Sequence, residues 1–357
     1  MSTPVATFAI ERTAYLDATG RPLGPLPAFA EDAATVTGFY RAMARARAFD
    51  EKAIALQRTG RLGTYASSLG QEAVGVGTAS AMRPADVLLP SFREHAAQLW
   101  RGVTLKELFL YWGGDERGSD FAGPREDFPV CIPVASHFPH AAGVALAMAL
   151  RGEPRAAVAI AGDGATSKGD FYEALNVVGL WRLPAVFVIN NNQWAISVRR
   201  RDQTAAATLA QKAIAAGLPG EQVDGNDVIA VHDAVARALA RARSGEGGAL
   251  IECLTYRLGD HTTADDASRY RDDDEVRPHW AEEPVLRTRA FLVSRHAWTK
   301  EDEESLLKSC AAEVEAAAEA YLATAPEFKG AIFDHTFAAL PDDLARQRAG
   351  AVEPSGG

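Results

Sequence analysis

Two polar turns in the middle of the chain carry side chains that can bind a metal ion. Gly162 to Gly164 (GDG) follows an apolar run of strand length, and Asn190 to Asn192 (NNN) follows another. Parallel strands bind ligands beyond their carboxyl ends, and a right-handed crossover makes successive strands near neighbours. The carboxylate of Asp163 and the amide oxygen of Asn192 suit a hard divalent cation such as Mg²⁺.

The glycines extend this chemistry to phosphate. Glycine lets the backbone approach a ligand closely, and the helix expected after GDG would turn its N-terminus toward an anion. The two turns together predict a magnesium-bridged pyrophosphate site with Asp163 and Asn192 as ligands. Taken alone, GDG is better explained as a plain turn and the asparagines as solvent-facing residues. Their expected placement at one edge of a sheet is what favours the site.

A parallel sheet is needed to bring the two turns together. Continuous apolar runs typical of buried strands lie at 156–161, 185–189 and 249–256, with shorter strands expected at 86–90 and 222–223. Helical patterns lie between or before them at 33–58, 71–81, 170–180, 209–216 and 228–243. The alternation predicts an α/β fold with a doubly wound, mostly parallel sheet flanked by helices.

The ends of the chain differ from this region in composition. Residues 1–30 are rich in Pro and Gly and are expected to form an extended arm, followed by an α/β domain at 31–298. Residues 299–357 are expected to form a helical region and tail. Thr299 can cap a helix there, and the 3.6-residue period predicts its buried stripe. That stripe comprises Leu306, Leu307, Cys310, Val314 and Tyr321.

The composition argues against several classes of protein. The chain has 357 residues and a net charge of −10, which disfavours nucleic acid as its main partner. Its three cysteines form no CxxC pair, as expected in a reducing compartment. No uninterrupted apolar stretch approaches the ~18 residues of a membrane span, and the N-terminus resembles neither a signal peptide nor a transit sequence. A cytoplasmic location without membrane contact is expected.

The spacing of the two turns matches a known motif. GDG and NN, with residues 165–190 between them, resemble the thiamine-diphosphate motif of thiamine-dependent enzymes. The string from GDGATSKGDFYEALN to LPAVFVINNNQWAIS is similar to the alpha subunit of the decarboxylating component of 2-oxo acid dehydrogenase complexes. The likeness covers about residues 8–345 and includes GRLGTYASSLGQEA, LPSFR, AAGVAL and YRLGDHTTADDASRYR.

The resemblance implies a set of site residues. Asp163 and Asn192 would bind Mg²⁺ together with the backbone carbonyl of Trp194. Arg93 would hold the diphosphate of thiamine diphosphate, a role that suits its guanidinium. His261 would be the catalytic residue, standing over the cofactor and stabilising charged intermediates. The other implied cofactor-binding residues are Phe92, Ile132, Val134, Gly162, Gly164, Ala165 and Ile196.

Three of these residues have narrower implied roles. Val134 would hold thiamine in its bent shape, and Ile132 would contact the aminopyrimidine through its backbone. Phe92 stands where the family usually has tyrosine, which removes one hydroxyl contact to the diphosphate. Asn190 and Asn191 are expected to be structural.

The resemblance also implies an activity and partners. The chain would be an oxidoreductase subunit that decarboxylates a 2-oxo acid and passes the acyl group to a lipoyl-bearing acyltransferase core. Because 357 residues comfortably hold only the diphosphate-binding half, a beta subunit and an α2β2 heterotetramer are expected. GRLGTYASSLGQEA and DFYEALN favour pyruvate, whereas NNQWAIS and HTTADDASRYR favour branched-chain 2-oxo acids. Pyruvate is the preferred interpretation and branched-chain substrates the alternative.

Functions of other classes stay open. The acidic residues around His261, at 260, 265 and 266, are compatible with a metal-dependent hydrolase, although His232 and His279 give no recognised ligand spacing. A non-catalytic, partner-binding role is a further alternative. A Rossmann-type dehydrogenase is disfavoured because no GxGxxG motif opens a strand–helix unit.

Overall fold

Helices and strands alternate through the computed structural model, which describes residues 2–334 and 336–352. The helices are α1 (Ala33–Arg58), α2 (Glu72–Ala81), α3 (His95–Arg101), α4 (Leu105–Trp112), α5 (His137–Arg151), α6 (Gly169–Trp181), α7 (Arg200–Gln203), α8 (Val228–Arg243), α9 (Asp273–Val276), α10 (Pro284–Arg295), α11 (Lys300–Leu322) and α12 (Asp342–Val352). The strands are β1 (Arg12–Thr13), β2 (Val87–Leu89), β3 (Ala157–Gly162), β4 (Ala185–Asn191), β5 (Trp194–Ala195), β6 (Val198–Arg199), β7 (Gly220–Asp224) and β8 (Ala249–Leu254).

The central sheet is parallel throughout the described part of the chain. Its six strands run in the order β1-β7-β8-β4-β3-β2, and β5 and β6 form a separate antiparallel pair. The side chains of β4 are buried along its whole length, as are nearly all of those of β3 and β8. Burial on both faces of the sheet explains why the sequences of these strands are continuous apolar runs. The predicted α/β fold is confirmed.

Helices cover both faces of this sheet. On one face Phe138 of α5 and Phe171 of α6 pack with Phe187 of β4. On the other face the apolar stripes of α2 and α8 pack against the alternate side chains of β3 and β4. Because side chains alternate along a strand, neighbouring residues of one strand enter different cores. Packing on both faces therefore fixes the register of the strands, and with it the positions of the turns that follow them.

The long helix α11 packs against α1. Thr299 caps it as predicted, in a capping box with Asp302, and Leu306, Cys310 and Val314 lie in the same core as α1. Leu307 was predicted to be buried, which is wrong, because its side chain is 45% exposed. The buried residues recur every four positions, so the next residue along the helix points about 100° away from the core.

Two further segments differ from the sequence prediction. Residues expected to form a helix at 209–216 form a 3₁₀ helix at Ala210–Ala216 instead. The extended arm contributes Arg12 and Thr13 to the sheet edge, where they pair with β7. Among the described helices, none combines the length and the apolar character needed to cross a membrane. The predicted division into an arm (1–30), an α/β domain (31–298) and a C-terminal region (299–357) stays a prediction.

His137 joins α5 to the sheet and makes the fold sensitive to acid. Its Nε2 lies 3.0 Å from the carbonyl oxygen of Ile160, so Nε2 carries the proton, while Nδ1 is buried without a partner. Burial is the main reason why the pKa of His137 falls from 6.5 to about 4. Below pH 6.5 the His137 imidazole becomes protonated in the unfolded chain but stays neutral in the folded chain. The stability that neutral His137 provides is therefore lost as the pH falls from 6.5 toward 4.

Replacing His137 by glutamine is expected to remove this acid sensitivity. Glutamine can still donate to the Ile160 carbonyl but does not titrate. Between neutral pH and about pH 5 the free energy of unfolding of the wild type should fall by about 2 kcal/mol more than that of His137→Gln. Urea unfolding of both proteins at the two pH values measures the difference. Equal losses in both proteins would contradict the assignment.

Candidate active site

One cavity lies beyond the carboxyl ends of β3 and β4. The register pairs Gly162 with Asn190, so the two polar turns start side by side at one sheet edge. Of the twelve residues expected to bind the cofactor, this cavity brings together all but one. They are Phe92, Arg93, Val134, Gly162, Asp163, Gly164, Ala165, Asn192, Trp194, Ile196 and His261.

Ile132 is the residue that the structure leaves out. Its side chain is 52% exposed, and it is not part of the cavity wall, which Val134 reaches instead. Three positions after Ile132, Ala135 has a φ of 71°. Ala135 is fully buried two residues before α5 begins.

Asp163 has one carboxylate oxygen without a partner. Its Oδ2 accepts a hydrogen bond of 2.8 Å from Gln203 Nε2, whereas Oδ1 is buried and unpartnered. Burial, the largest cause, raises the pKa of this carboxyl above its usual value. A buried, unpaired carboxylate oxygen is costly unless a proton or cation compensates it. Asp163 is therefore suited to hold a cation.

The amide of Asn192 is held in one orientation. Its Nδ2 donates to Gln71 Oε1 at 2.8 Å, and its Oδ1 accepts from the backbone N–H of Trp194 at 3.1 Å. An amide oxygen has two lone pairs, so Oδ1 retains one for a further ligand. Asp163 and Asn192 thus line the cavity with oxygens of the kind that Mg²⁺ prefers.

A tight approach explains the second glycine of GDG. A side chain at Gly164 would place its Cβ 2.8 Å from the Cβ of Ala195, which is closer than van der Waals contact allows. The absence of a side chain lets the turn of β3 pack against the hairpin of β5 and β6. Gly164 also lines the cavity, where a residue without a side chain lets the backbone approach a ligand closely.

Ile196 lies at the tip of that hairpin in a strained conformation. Its φ is 55°, a region that β-branched residues rarely enter, and its side chain is 56% exposed. The carbonyl oxygen of Ile196 accepts a hydrogen bond of 2.8 Å from Arg257 Nη2. This contact helps to hold the tip at the edge of the cavity.

Two buried guanidinium groups lie beside His261. Arg93 Nη2 is 2.9 Å from His261 Nδ1 and donates to the His261 carbonyl at 2.8 Å. Arg257 Nη1 is 3.5 Å from the same Nδ1, and Arg257 Nε is buried without a partner. Burial first, and then Arg257, lower the pKa of Arg93 to about 10, so it stays charged at neutral pH. One positive charge on the cavity wall, at Arg93, and a second beside His261, at Arg257, favour an anionic ligand.

The same guanidinium groups fix the state of His261. Burial, then Arg93 and Arg257, lower its pKa to about 4, so the imidazole is neutral near pH 7. Because arginine can only donate, Nδ1 must be the acceptor and Nε2 must carry the proton. His261 therefore offers a neutral N–H donor on a residue that lines the cavity.

The acidic residues near His261 accept hydrogen bonds that hold its loop in one conformation. Asp265 accepts from the backbone N–H of His261 and from the Tyr270 hydroxyl. Asp260 accepts from Ala267 N, and Asp266 caps a short 3₁₀ helix. Within residues 2–334 and 336–352 no three His, Cys, Asp or Glu side chains are arranged to hold a metal. These contacts disfavour the hydrolase alternative.

The other two asparagines pair with β8 and the residue that follows it. Asn191 Nδ2 donates to the buried carboxylate of Glu252 at 2.6 Å, and Asn190 Oδ1 accepts from the Thr255 hydroxyl at 2.7 Å. Asn190 also lines the cavity. Both side chains tie the end of β4 to the neighbouring part of the sheet.

Sequence reasoning missed several residues of the site. Gln71 and Glu94 line the cavity, and Gln203 contacts Asp163 from a separate segment. Gln71 stands within the quoted stretch GRLGTYASSLGQEA, which could have pointed to it. Gln203 has no motif around it, since its position depends on how the chain after β6 folds back.

The chain is similar to proteins of one family along most of its length. The family described as dehydrogenase E1 component matches residues 40–327. The pyruvate dehydrogenase E1 component subunit alpha of Mycoplasma pneumoniae is 40% identical over 303 residues, covering 85% of each chain. The protein of the same name in Mycoplasma genitalium is 38% identical over 309 residues, which cover 87% of this chain and 86% of the relative. That of Staphylococcus aureus is 40% identical over 302 residues, covering 84% and 82% respectively. The chain therefore belongs to the dehydrogenase E1 component family.

Proposed function

We propose that this chain is the alpha subunit of a pyruvate dehydrogenase E1 component, which decarboxylates pyruvate with thiamine diphosphate and Mg²⁺. Membership of the family implies the use of thiamine diphosphate. The observation that carries the proposal is the cavity itself. An unpartnered buried carboxylate oxygen on Asp163 and two buried guanidinium groups line or adjoin it, as a magnesium diphosphate requires.

The residues present fit this cofactor. Asp163, Asn192 and the carbonyl of Trp194 would hold Mg²⁺, and Arg93 would bind the diphosphate. Gly162, Gly164 and Ala165 would leave room for the phosphate oxygens, with Phe92, Val134 and Ile196 as the apolar wall. When bound, thiamine diphosphate supplies an electron-accepting ring, which allows carbon dioxide to leave a 2-oxo acid.

His261 would act on the substrate as a hydrogen-bond donor. Its neutral imidazole carries the proton on Nε2 because the arginines occupy Nδ1. A donor held in place before the reaction stabilises charge that develops on a carbonyl oxygen. Arg93 and Arg257 keep the ring in this tautomer, and Asp265 holds its backbone.

The chain would work together with a second subunit. The helices α5 and α6 carry the exposed apolar side chains Leu150, Tyr172, Leu180 and Trp181. Large exposed apolar side chains on neighbouring helices are typical of surfaces that bind another protein. The proposed partner is a beta subunit in an α2β2 heterotetramer, which would pass the acyl group to the lipoyl arm of an acyltransferase core. A cytoplasmic location remains part of the proposal.

The decisive experiment compares the chain with and without its beta partner. Carbon dioxide release is measured from pyruvate, 2-oxoisovalerate, 2-oxoisocaproate and 3-methyl-2-oxopentanoate, each with thiamine diphosphate and Mg²⁺. The α/β pair should be most active on pyruvate, and the chain alone should be inactive. Preference for the branched acids would replace pyruvate by the alternative substrate class. Full activity of the chain alone would refute the two-subunit arrangement.

A further inference from the structure

A buried carboxylate on α1 organises the polypeptide segment next to the cavity. Asp50 is 2% exposed and accepts hydrogen bonds from three residues of the segment 65–68. Its Oδ1 accepts from the Tyr65 hydroxyl. Its Oδ2 accepts from the Ser67 hydroxyl at 2.8 Å, the Ser68 N–H at 2.7 Å and the Ser68 hydroxyl at 3.1 Å. One carboxylate thus satisfies four donors.

The segment that Asp50 holds contacts both the arginine and the histidine loop of the active site. The carbonyl of Ser67 accepts from Arg93 Nη1 at 2.7 Å. The N–H of Tyr65 donates to Thr263 Oγ1 at 2.9 Å, and the N–H of Thr263 donates to the Tyr65 carbonyl at 2.8 Å. Thr263 is two residues beyond His261. A single short segment therefore locates Arg93 and the start of the His261 loop together.

The other side of Asp50 is closed by aromatic residues. Trp112 Nε1 donates to His95 Nε2 at 3.0 Å, so the proton of neutral His95 is on Nδ1, which faces Asp50 Oδ1 at 3.8 Å. Phe49 packs against both Tyr65 and His95. Because Asp50, Tyr65 and His95 are all buried, the carboxylate is held by one tightly packed set of partners.

We propose that Asp50 is a positioning residue of the active site. It does not line the cavity. Through Tyr65, Ser67 and Ser68 it sets where the Arg93 guanidinium and the His261 loop lie. Asp50 positions this segment whether or not a ligand is bound, and the effect on catalysis rests on the proposed function.

Replacing Asp50 by asparagine tests this role with little change of shape. An amide has one acceptor oxygen, and its NH₂ group cannot accept from the serines or from Tyr65. Either Tyr65 or the serine pair must lose its acceptor, and buried donors without acceptors are costly. The segment at 65–68 is expected to loosen, together with its contacts to Arg93 and Thr263.

The matched control is Asp227→Asn. Asp227 is also buried and also accepts four hydrogen bonds, from the N–H groups of Tyr15, Leu16, Ile229 and Ala230. It caps α8 and holds the N-terminal arm, and it does not line the cavity. The two variants should lose similar stability, so any difference at the active site reports the positioning role.

Two measurements separate positioning from general loss of stability. In the ligand-free full chain, hydrogen exchange at residues 65–68 and 261–265 should quicken by about tenfold or more in Asp50→Asn and stay near the wild-type rate in Asp227→Asn. In the α/β pair, Asp50→Asn should raise the KM for thiamine diphosphate by about tenfold. Asp227→Asn should lower only the amount of active enzyme. If Asp50→Asn fails to fold, Tyr65→Phe removes one donor and should give the smaller change of the same kind.

The outcomes are distinguishable from a failure of the proposed function. Unchanged exchange at 261–265 in Asp50→Asn would overturn the positioning role, whatever the chain catalyses. Equal exchange changes in the Asp227 variant would overturn it as well. Faster exchange confined to the Asp50 variant supports the role even if no 2-oxo acid is decarboxylated, in which case the proposed activity is what fails.

Discussion

Replacing Asp163 by asparagine is expected to abolish cofactor-dependent decarboxylation without destabilising the ligand-free chain. The carboxylate provides the charge that would hold Mg²⁺, so the loss in magnesium-dependent thiamine diphosphate affinity should be at least ~100-fold. In the ligand-free chain the same carboxylate is buried with Oδ1 unpartnered. A neutral amide relieves that cost, so the free energy of unfolding should stay equal or rise by about 1 kcal/mol.

The two effects of Asp163→Asn have opposite signs, which makes the test specific. Calorimetric titration with thiamine diphosphate and Mg²⁺ measures the binding, and urea unfolding without ligand measures the stability. Asp86→Asn serves as the control, because Asp86 is equally buried but accepts from Ala156 N–H and pairs with Arg243. That variant should lose stability and keep its affinity. A strongly destabilised Asp163→Asn would show that the carboxylate supports the fold instead.

Replacing His261 by asparagine is expected to reduce kcat by about 100- to 1000-fold while changing cofactor affinity only a few-fold. The asparagine Oδ1 can take the place of Nδ1 and accept from Arg93, so the arginine and the loop keep their positions. What the variant lacks is the N–H at Nε2. Steady-state kinetics of the α/β pair give kcat and the KM for thiamine diphosphate in one experiment.

His261→Ala is the companion to this variant. Alanine removes the acceptor as well as the donor and leaves the Arg93 guanidinium without one of its two contacts to His261. Its KM for the cofactor should therefore change more than that of His261→Asn. Equal KM values with equal losses of kcat would mean that Nδ1 has no influence on Arg93. A His261→Asn enzyme with normal kcat would remove His261 from the reaction.

The sheet and the site could be predicted from local sequence to different extents. The strands that carry Asp163 and Asn192 are continuous apolar runs, and the turn residues follow them directly. Because register in a parallel sheet is fixed by the buried side chains, the meeting of these turns at one edge could be foreseen. The resemblance of the stretches LPSFR and YRLGDHTTADDASRYR to a known family is what pointed to Arg93 and His261, which lie far from both turns in sequence.

Other parts depend on contacts that no local pattern encodes. Gln203 reaches Asp163 only because the hairpin of β5 and β6 reverses the chain. Asp50 occupies a buried face of α1, where periodicity would place an apolar residue, and its partners lie on a segment without regular structure. Leu307 is apolar, as a core residue would be, but lies on the exposed side of α11. Long-range folding decides such cases, and the 3.6-residue period alone does not.

The conformation of Ile196 has a consequence for protein engineering. A residue held at φ 55° stores strain that glycine would release, at ~1 kcal/mol for a β-branched side chain. Searches for thermostable variants should therefore repeatedly select glycine here. Such variants would gain thermal stability and lose the apolar side chain that Ile196 places at the edge of the cavity. Directed evolution of this enzyme should therefore meet a trade-off between thermal stability and kcat at this one residue. A screen for the activity that remains after heating would detect it, because Ile196→Gly should survive heating better and start from a lower kcat.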